Sequence, residues 1–173
     1  MLFFMGKGTR ENRNSVRREG ALMKAEHVNP FIISVCKVVK DMCMIDLKIG
    51  KPSMTEGVYL SDASIIKLGL LGDLNGEVVL NIEQNMALGI VSKMMMMPVT
   101  EMDALGQSAI SELGNMVAGN TATVFANSDI VIDITPPSYY LGADYKSDVS
   151  QWFSIPFSSD AGNLSIDVFI KES

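Results

Sequence analysis

The sequence has few of the side chains from which most catalytic metal sites and nucleophilic triads are built. It contains one histidine, His27, and two cysteines among 173 residues. A single histidine excludes most zinc enzymes and disfavours a Ser-His-Asp triad. Cys36 and Cys43 are seven residues apart, which suits one face of a helix but neither a C-x-x-C redox pair nor a zinc site. We interpret both as buried, reduced thiols, and we expect no metal in this chain.

Long apolar runs and a positive charge balance are also missing. No run approaches the roughly 18 apolar residues of a membrane span, and the apolar residues 1–5 are too few for a signal-peptide core. The sequence therefore predicts a cytoplasmic protein that does not insert into a membrane. The net charge is -6, and residues 1–22 carry five basic and two acidic side chains, which leaves -9 on the remainder. This acidic remainder disfavours nucleic acid as a partner and favours a protein with basic residues around its own site.

Length and composition predict one folded domain with a short basic extension. Hydrophobic residues make up 47% of the chain and charged residues 20%, a balance typical of globular proteins. Residues 1–22 have no usable apolar period, so we interpret them as a mobile arm or as the product of an upstream start codon, with Met23 as an alternative first residue. The folded domain is expected to span residues 23–173.

Three segments have the apolar spacing of helices. The first is expected to begin near Asn29, a suitable N-cap, with Pro30 at the first helical position. The second covers residues 84–97. The third and longest is expected to be capped by Thr100 and to continue to about Phe125.

Alternating apolar and polar residues predict six or seven strands. The predicted strands cover residues 44–50, 56–60, 64–71, 77–82, 130–134, 151–157 and 164–170. Short connections rich in glycine, asparagine and aspartate join the third to the fourth and the sixth to the seventh, as in hairpins. Helices and strands together predict an α+β fold, with about three helices packed on a largely antiparallel, hairpin-rich sheet.

The third helix has an unusual exposed face. At 100° per residue, an apolar stripe forms one side of it, consisting of Ala109, Ile110, Leu113, Met116 and Val117. The other side places Glu112 beside Asn115 and four small residues: Ser108, Ser111, Gly119 and Ala122. Solvated helix faces usually carry many long polar side chains, whereas here nothing stands higher than the carboxylate and the carboxamide. Another protein could therefore approach these two side chains closely.

Three residues of this helix disfavour helix formation. The side chain of Asn115 competes for backbone hydrogen bonds, and Gly114 and Gly119 each cost the helix about 1 kcal/mol relative to alanine. Their presence requires a reason in packing or in function. Two interpretations are open at this point. Either Asn115 is a surface accident and the glycines allow close helix–sheet packing, or this face is a functional site.

The same helix resembles the signature of a known family. Residues 110–120, Ile-Ser-Glu-Leu-Gly-Asn-Met-Val-Ala-Gly-Asn, are similar to the Glu-x-x-Asn helix of the CheC/CheX/FliY chemotaxis phosphatases. Residues 134–137, Ile-Thr-Pro-Pro, with Gly142 after them, and residues 23–31 resemble further stretches of that family. The resemblance extends over residues 23–171. Because the chain has one Glu-x-x-Asn helix, it resembles the single-site CheX-like branch more than the two-site CheC branch.

This resemblance implies dephosphorylation of the aspartyl-phosphate on a phosphorylated CheY-like response regulator. It gives Asn115 the role of positioning the attacking water and Glu112 the role of holding a lysine at the regulator's active site. The small residues around this pair would contact the partner: Ser108, Ser111, Gly119 and Ala122. The Mg²⁺ ion would be the regulator's, so no cofactor is expected in this chain. The branch also pairs as homodimers through its sheets, and we expect the strand at residues 164–170 to leave an unpaired edge.

Two other classes of function are open. A regulator-binding or flagellar-switch module on the same fold would bind without speeding phosphate loss, although the presence of both Glu112 and Asn115 disfavours it. A stand-alone hydrolase of a small molecule would need a nucleophile and a base in a pocket, and the sequence offers no obvious pair.

Overall fold

Helices and strands follow one another in blocks along residues 24–171, the part of the chain that the computed structural model describes. The helices of this part are α1 (Ala25–Cys43), α2 (Gln84–Met95) and α3 (Ala104–Ala126). Its strands are β1 (Lys48–Ile49), β2 (Ser53–Thr55), β3 (Ser64–Gly72), β4 (Asn75–Ile82), β5 (Ile132–Ile134), β6 (Ser138–Leu141), β7 (Trp152–Ser159) and β8 (Gly162–Lys171). The basic arm predicted at residues 1–22 lies outside the described residues.

The strands of this part form one sheet in which every pairing is antiparallel. Its order is β1-β7-β8-β4-β3-β5, with β2 also paired to β7 and β6 also paired to β3. The predicted hairpins, β3–β4 and β7–β8, are confirmed and form the centre of the sheet. Residues 164–170, which we expected to leave an unpaired edge, lie in β8 between β7 and β4, so that expectation is wrong. The edges are instead the short strands β1 and β2 on one side and β5 and β6 on the other.

The main core lies between the helices and one face of the sheet. Alternate residues of the two central strands point into it: Val78, Leu80 and Ile82 of β4, and Leu164, Ile166 and Val168 of β8. The other face of the sheet is partly covered by a smaller cluster, which consists of Ala63, Ile65, Val79, Tyr145 and Trp152. Three helices on an antiparallel sheet confirm the predicted α+β class. The helix layer also fixes which side of α3 remains exposed.

α1 begins four residues before the predicted cap. Asn29 is buried inside the helix, and Pro30 lies in its second turn rather than at its first position. The preceding turn joins the helix because it places Val28 in the core, where 2% of the residue is exposed, and this burial outweighs the capping preference of asparagine. The missing N–H of Pro30 affects only the carbonyl of Glu26, close to the helix start.

α3 is capped by Asp103. Thr100, the cap predicted from the sequence, lies outside the helix. The Oδ1 atom of Asp103 accepts a hydrogen bond from the N–H of Gly106 at 2.8 Å. Both residue types are favourable caps, so local sequence alone does not distinguish them. The helix ends at Ala126, within one residue of its predicted end.

Three predicted strands are shortened or displaced, and one of them, 130–134, forms β5 only over Ile132–Ile134. Met44 ends α1 in the left-handed conformation, with φ 56°, and only Lys48–Ile49 of the predicted strand 44–50 pairs with β7. Residues 56–60 form no strand, and the three residues of β2 pair with β7 in their place. Strand β6, which follows Pro136 and Pro137, was not predicted, and it brings one wall of the candidate site beside α3.

Candidate functional site

Glu112 and Asn115 lie side by side on the exposed face of α3, as the helical spacing predicts. The opposite side of the helix is held in the core by Ile110, Leu113 and Val117, each at most 2% exposed. Three residues of an α-helix correspond to about 4.5 Å along its axis, so one partner group can contact both side chains. Within residues 24–171, neither side chain forms a hydrogen bond or an ion pair. Both are therefore available to a partner.

Gly114 and Gly119 of α3 have different surroundings. A Cβ atom at Gly114 would lie 2.8 Å from Cγ2 of Ile66 in β3 and 3.8 Å from Cβ of Pro137, so glycine is needed for close packing of helix and sheet. A Cβ atom at Gly119 would meet nothing within 4 Å. The packing explanation therefore holds for Gly114 alone. Gly119 is exposed on the same face as Asn115, where a glycine lowers the profile of the surface.

The predicted partner-contact residues share this face of the helix. Ser108 and Gly119 are exposed, and Ser111 and Ala122 are half-buried. The hydroxyl of Ser108 donates to the carbonyl of Ala104 at 3.1 Å, which keeps it against the helix. The surface around the Glu112–Asn115 pair is therefore low, as the sequence predicts.

A depression of about 400 Å³, which is not predicted from the sequence, adjoins Glu112. It is lined by Ala104, Gln107, Ser108, Ser111 and Glu112 of α3 and by Pro137 and Tyr139 of the β6 region. Tyr139 is held in place by a hydrogen bond of 3.0 Å between its hydroxyl and that of the buried Ser64. Local spacing could not reveal this wall, because it comes from the pairing of β6 with β3, residues far apart in the sequence.

A carboxyl group with a raised pKa lies away from this site. Asp167 of β8 is on the opposite face of the sheet, where burial raises its pKa although the hydroxyls of Ser154 and Tyr59 donate hydrogen bonds to it. No three His, Cys, Asp or Glu side chains between residues 24 and 171 are grouped so that they could hold a metal ion. No helix in the same part of the chain is long and apolar enough to cross a membrane.

Comparison with known proteins places this fold and this helix in one family. The sequence profile described as "Chemotaxis phosphatase CheX" matches residues 64–158, which include the whole of α3. The protein named CheY-P phosphatase CheX from Thermotoga maritima is 36% identical over 125 residues, which cover 72% of this chain and 81% of that protein.

Two crystal structures illustrate the likeness in fold. A CheC-like superfamily protein from Shewanella sp. PV-4 has a TM-score of 0.77 and 26% identity, over 87% of this chain and 100% of that chain. The CheX-CheY-BeF₃-Mg²⁺ complex from Borrelia burgdorferi has a TM-score of 0.68 and 24% identity, over 84% of this chain and 98% of that chain, and at this identity it shows the fold alone. Because the profile matches more than half of the chain and the Thermotoga protein is similar over most of both sequences, this chain belongs to the CheX family of chemotaxis phosphatases.

Proposed function

We propose that this chain removes the phosphoryl group from the aspartyl-phosphate of a phosphorylated CheY-like response regulator. The observation that carries this proposal is the pair Glu112 and Asn115, which lies exposed and without partners among the described residues. The family membership supports the same reaction, since the similar Thermotoga protein is named a CheY-P phosphatase. Hydrolysis of an acyl phosphate mainly requires a water molecule in line with the scissile bond. The phosphatase therefore contributes chiefly by positioning this water molecule.

Asn115 is suited to positioning that water molecule. Its carboxamide oxygen can accept a hydrogen bond from water while its NH₂ group donates one to a phosphoryl oxygen. The group carries no charge that would repel the phosphate. A helix whose other side is fixed in the core holds the amide in a defined place before the regulator arrives, which reduces the entropy lost in the reaction.

Glu112 is suited to holding a cation of the regulator. Its carboxylate has no ion-pair partner within residues 24–171, and it lies one helical turn from Asn115. If Glu112 binds a lysine at the regulator's active site, the carboxamide of Asn115 is aligned with the phosphoryl group. Ser108, Ser111, Gly119 and Ala122 leave room around the pair, so we propose that they form the contact surface for the regulator.

The reaction requires no cofactor from this chain in our proposal. Magnesium is expected on the regulator, where it neutralises charge on the phosphoryl group, while Asn115 and Glu112 supply hydrogen bonds and one charge. We also propose a cytoplasmic location, because a CheY-like regulator is the partner. Residues 23–173 would act as one domain, in agreement with the single sheet that joins β1 to β8.

We further propose a homodimer that forms through the edge of the sheet at β6. Tyr140 and Leu141 of this edge strand are 38% and 41% exposed, although both have large hydrophobic side chains. The opposite edge carries the exposed Lys48 in β1, and lysine at an edge disfavours pairing with another sheet. Pairing two β6 strands would satisfy backbone groups that a lone edge leaves open and would keep α3 accessible on each subunit.

The reaction is tested by phosphate release. Purified response regulators, phosphorylated by a small-molecule phosphodonor, are incubated with and without this protein, and inorganic phosphate is followed over time. The proposal predicts faster release from at least one regulator. A protein that binds a regulator without faster release would be the non-catalytic module, and that outcome would overturn the proposed reaction.

A further inference from the structure

The exposed face of α3 extends beyond Glu112 and Asn115 toward the start of the helix. Leu105 lies seven residues before Glu112, which places it about 20° from Glu112 around the helix and about 10 Å away along its axis. It is 63% exposed, and it is the one large apolar side chain of α3 with such exposure. The other exposed residues of this face are small or polar. Leu105 is thus the single apolar projection on an otherwise low surface.

The depression beside Glu112 continues the same surface toward β6. Its β6 wall is rigid, because Tyr139 is hydrogen bonded to Ser64 and Pro137 packs beside Gly114. Its helix wall offers the side-chain carboxamide of Gln107 and the hydroxyl of Ser111. Neither of these side chains is hydrogen bonded within residues 24–171. A volume of about 400 Å³, open to solvent, can receive one long side chain of a partner.

Leu105 and Gln107 lie far along the helix from Asn115, where the proposed reaction takes place. Leu105 lies ten residues before Asn115 and Gln107 eight, which correspond to about 15 Å and 12 Å along the axis. A phosphoryl group held at Asn115 is therefore out of their reach. Groups at these positions can contact only the surface of the partner around its phosphorylation site.

We propose that Leu105 and the depression between Gln107 and Tyr139 determine which response regulator this protein accepts. Leu105 contacts an apolar patch of the regulator, and the depression receives a side chain with an apolar stem and a hydrogen-bonding head. The occupant is the regulator and not a second copy of this chain, because a copy seated here would cover Glu112 and Asn115 on the same helix face. This inference rests on the proposed phosphatase function and adds the residues that select its substrate.

The test separates recognition from chemistry. Phosphate release is measured as a function of regulator concentration for the wild type, Leu105→Ala, Gln107→Trp and the control Leu60→Ala, against several phosphorylated regulators. Leu60 is 62% exposed, which matches Leu105, and it lies outside α3. Thermal unfolding of each variant confirms that it is folded.

We expect Leu105→Ala to raise KM about fivefold to tenfold, and Gln107→Trp, which fills the depression, to raise it by about tenfold or more. The kcat of both variants should stay within about twofold of the wild-type value, since neither side chain reaches the phosphoryl group. The ratio of kcat/KM values between regulators should also change, while Leu60→Ala should match the wild type. Unchanged KM values in both variants of an active protein would overturn this inference and leave the proposed function standing. A wild type without activity on any regulator would overturn the proposed function itself.

Discussion

Glu112 and Asn115 are neighbours on one helix turn, but their side chains suit different steps. A carboxamide can act on water and phosphate without electrostatic repulsion, whereas a carboxylate can attract a cation and would repel the phosphate if it came too close. The two residues should therefore be separable by kinetics. Loss of the carboxylate should weaken association and its dependence on salt, and loss of the amide should slow the chemical step.

Glu112→Ala should weaken binding of the phosphorylated regulator and reduce the salt dependence of that binding. Added salt screens the attraction between the carboxylate and a basic group, so the wild type should lose more affinity than the variant as salt rises. Glu56→Ala is the control, because it removes the same charge at another exposed position. Binding is measured by titration at low and high salt. Equal salt dependence in wild type and Glu112→Ala would contradict the role of Glu112.

Asp167 gives a prediction about stability and pH. The residue is 1% exposed, and burial raises its pKa in the folded protein, although Ser154 and Tyr59 donate hydrogen bonds to its carboxylate. The folded state then holds the proton more tightly than the unfolded state. Ionisation of Asp167 should therefore lower the free energy of unfolding as pH rises above about 4, the ordinary range of an aspartate pKa.

Asp167→Asn cannot ionise and should not show this loss. The difference in unfolding free energy between the variant and the wild type should therefore increase in favour of the variant from about pH 4 to pH 7, as measured by urea denaturation. The same substitution at the exposed Asp144 is the control. A difference that does not change with pH would contradict the raised pKa.

At the scale of the element, Gly114 and Gly119 of α3 should respond in opposite ways to substitution by alanine. Gly114→Ala should lower the free energy of unfolding by about 1–3 kcal/mol, because its methyl group would overlap the buried Ile66. Gly119→Ala should raise it by about 0.5–1 kcal/mol, since alanine favours the helix and the position is open. Gly89→Ala in α2, which is equally open, should give the same gain. Chemical denaturation checks all three, and a stabilising Gly114→Ala would refute the close-packing explanation.

Elements with a long, regular apolar period could be predicted from the sequence. Both hairpins and the course of α3 follow from such periods, and so does the exposure of the Glu112–Asn115 pair. The start of α1 could not be predicted, because burial of Val28 is a tertiary contact that local capping preference does not report. Strand β6 and the Tyr139 wall depend on pairing with β3. Leu105 could have been predicted to lie on this face, because seven residues separate it from Glu112 and seven residues are nearly two helical turns.

At the scale of the whole molecule, the two sheet edges decide how copies can associate. The central position of β8 excludes residues 164–170 as a free edge. The exposed hydrophobic side chains of Tyr140 and Leu141 favour β6 as the proposed contact. Lysine at either of these positions should convert the proposed dimer to a monomer, because a buried charge opposes edge pairing. Ser53→Lys, at the opposite edge in β2, is the matched control and should leave the mass unchanged.

Light scattering at micromolar concentration measures the mass of each of these proteins. A wild-type protein with the mass of a monomer would remove the homodimer from this account. Full phosphatase activity in such a monomer would leave the roles of Glu112 and Asn115 intact, because α3 is complete within one chain.

The most direct test of the central claim is phosphate release by Asn115→Ala. The side chain is exposed, so the variant should keep the fold, and the loss of a positioned hydrogen-bonding group should reduce stimulated phosphate release by about 10²-fold or more. Asn127→Ala, at the exposed C-terminal cap of the same helix, should retain wild-type activity. The measurement is the rate of phosphate release from the phosphorylated regulator at saturating regulator concentration. Near-full activity of Asn115→Ala under these conditions would contradict the assignment of Asn115 as the residue that positions the attacking water.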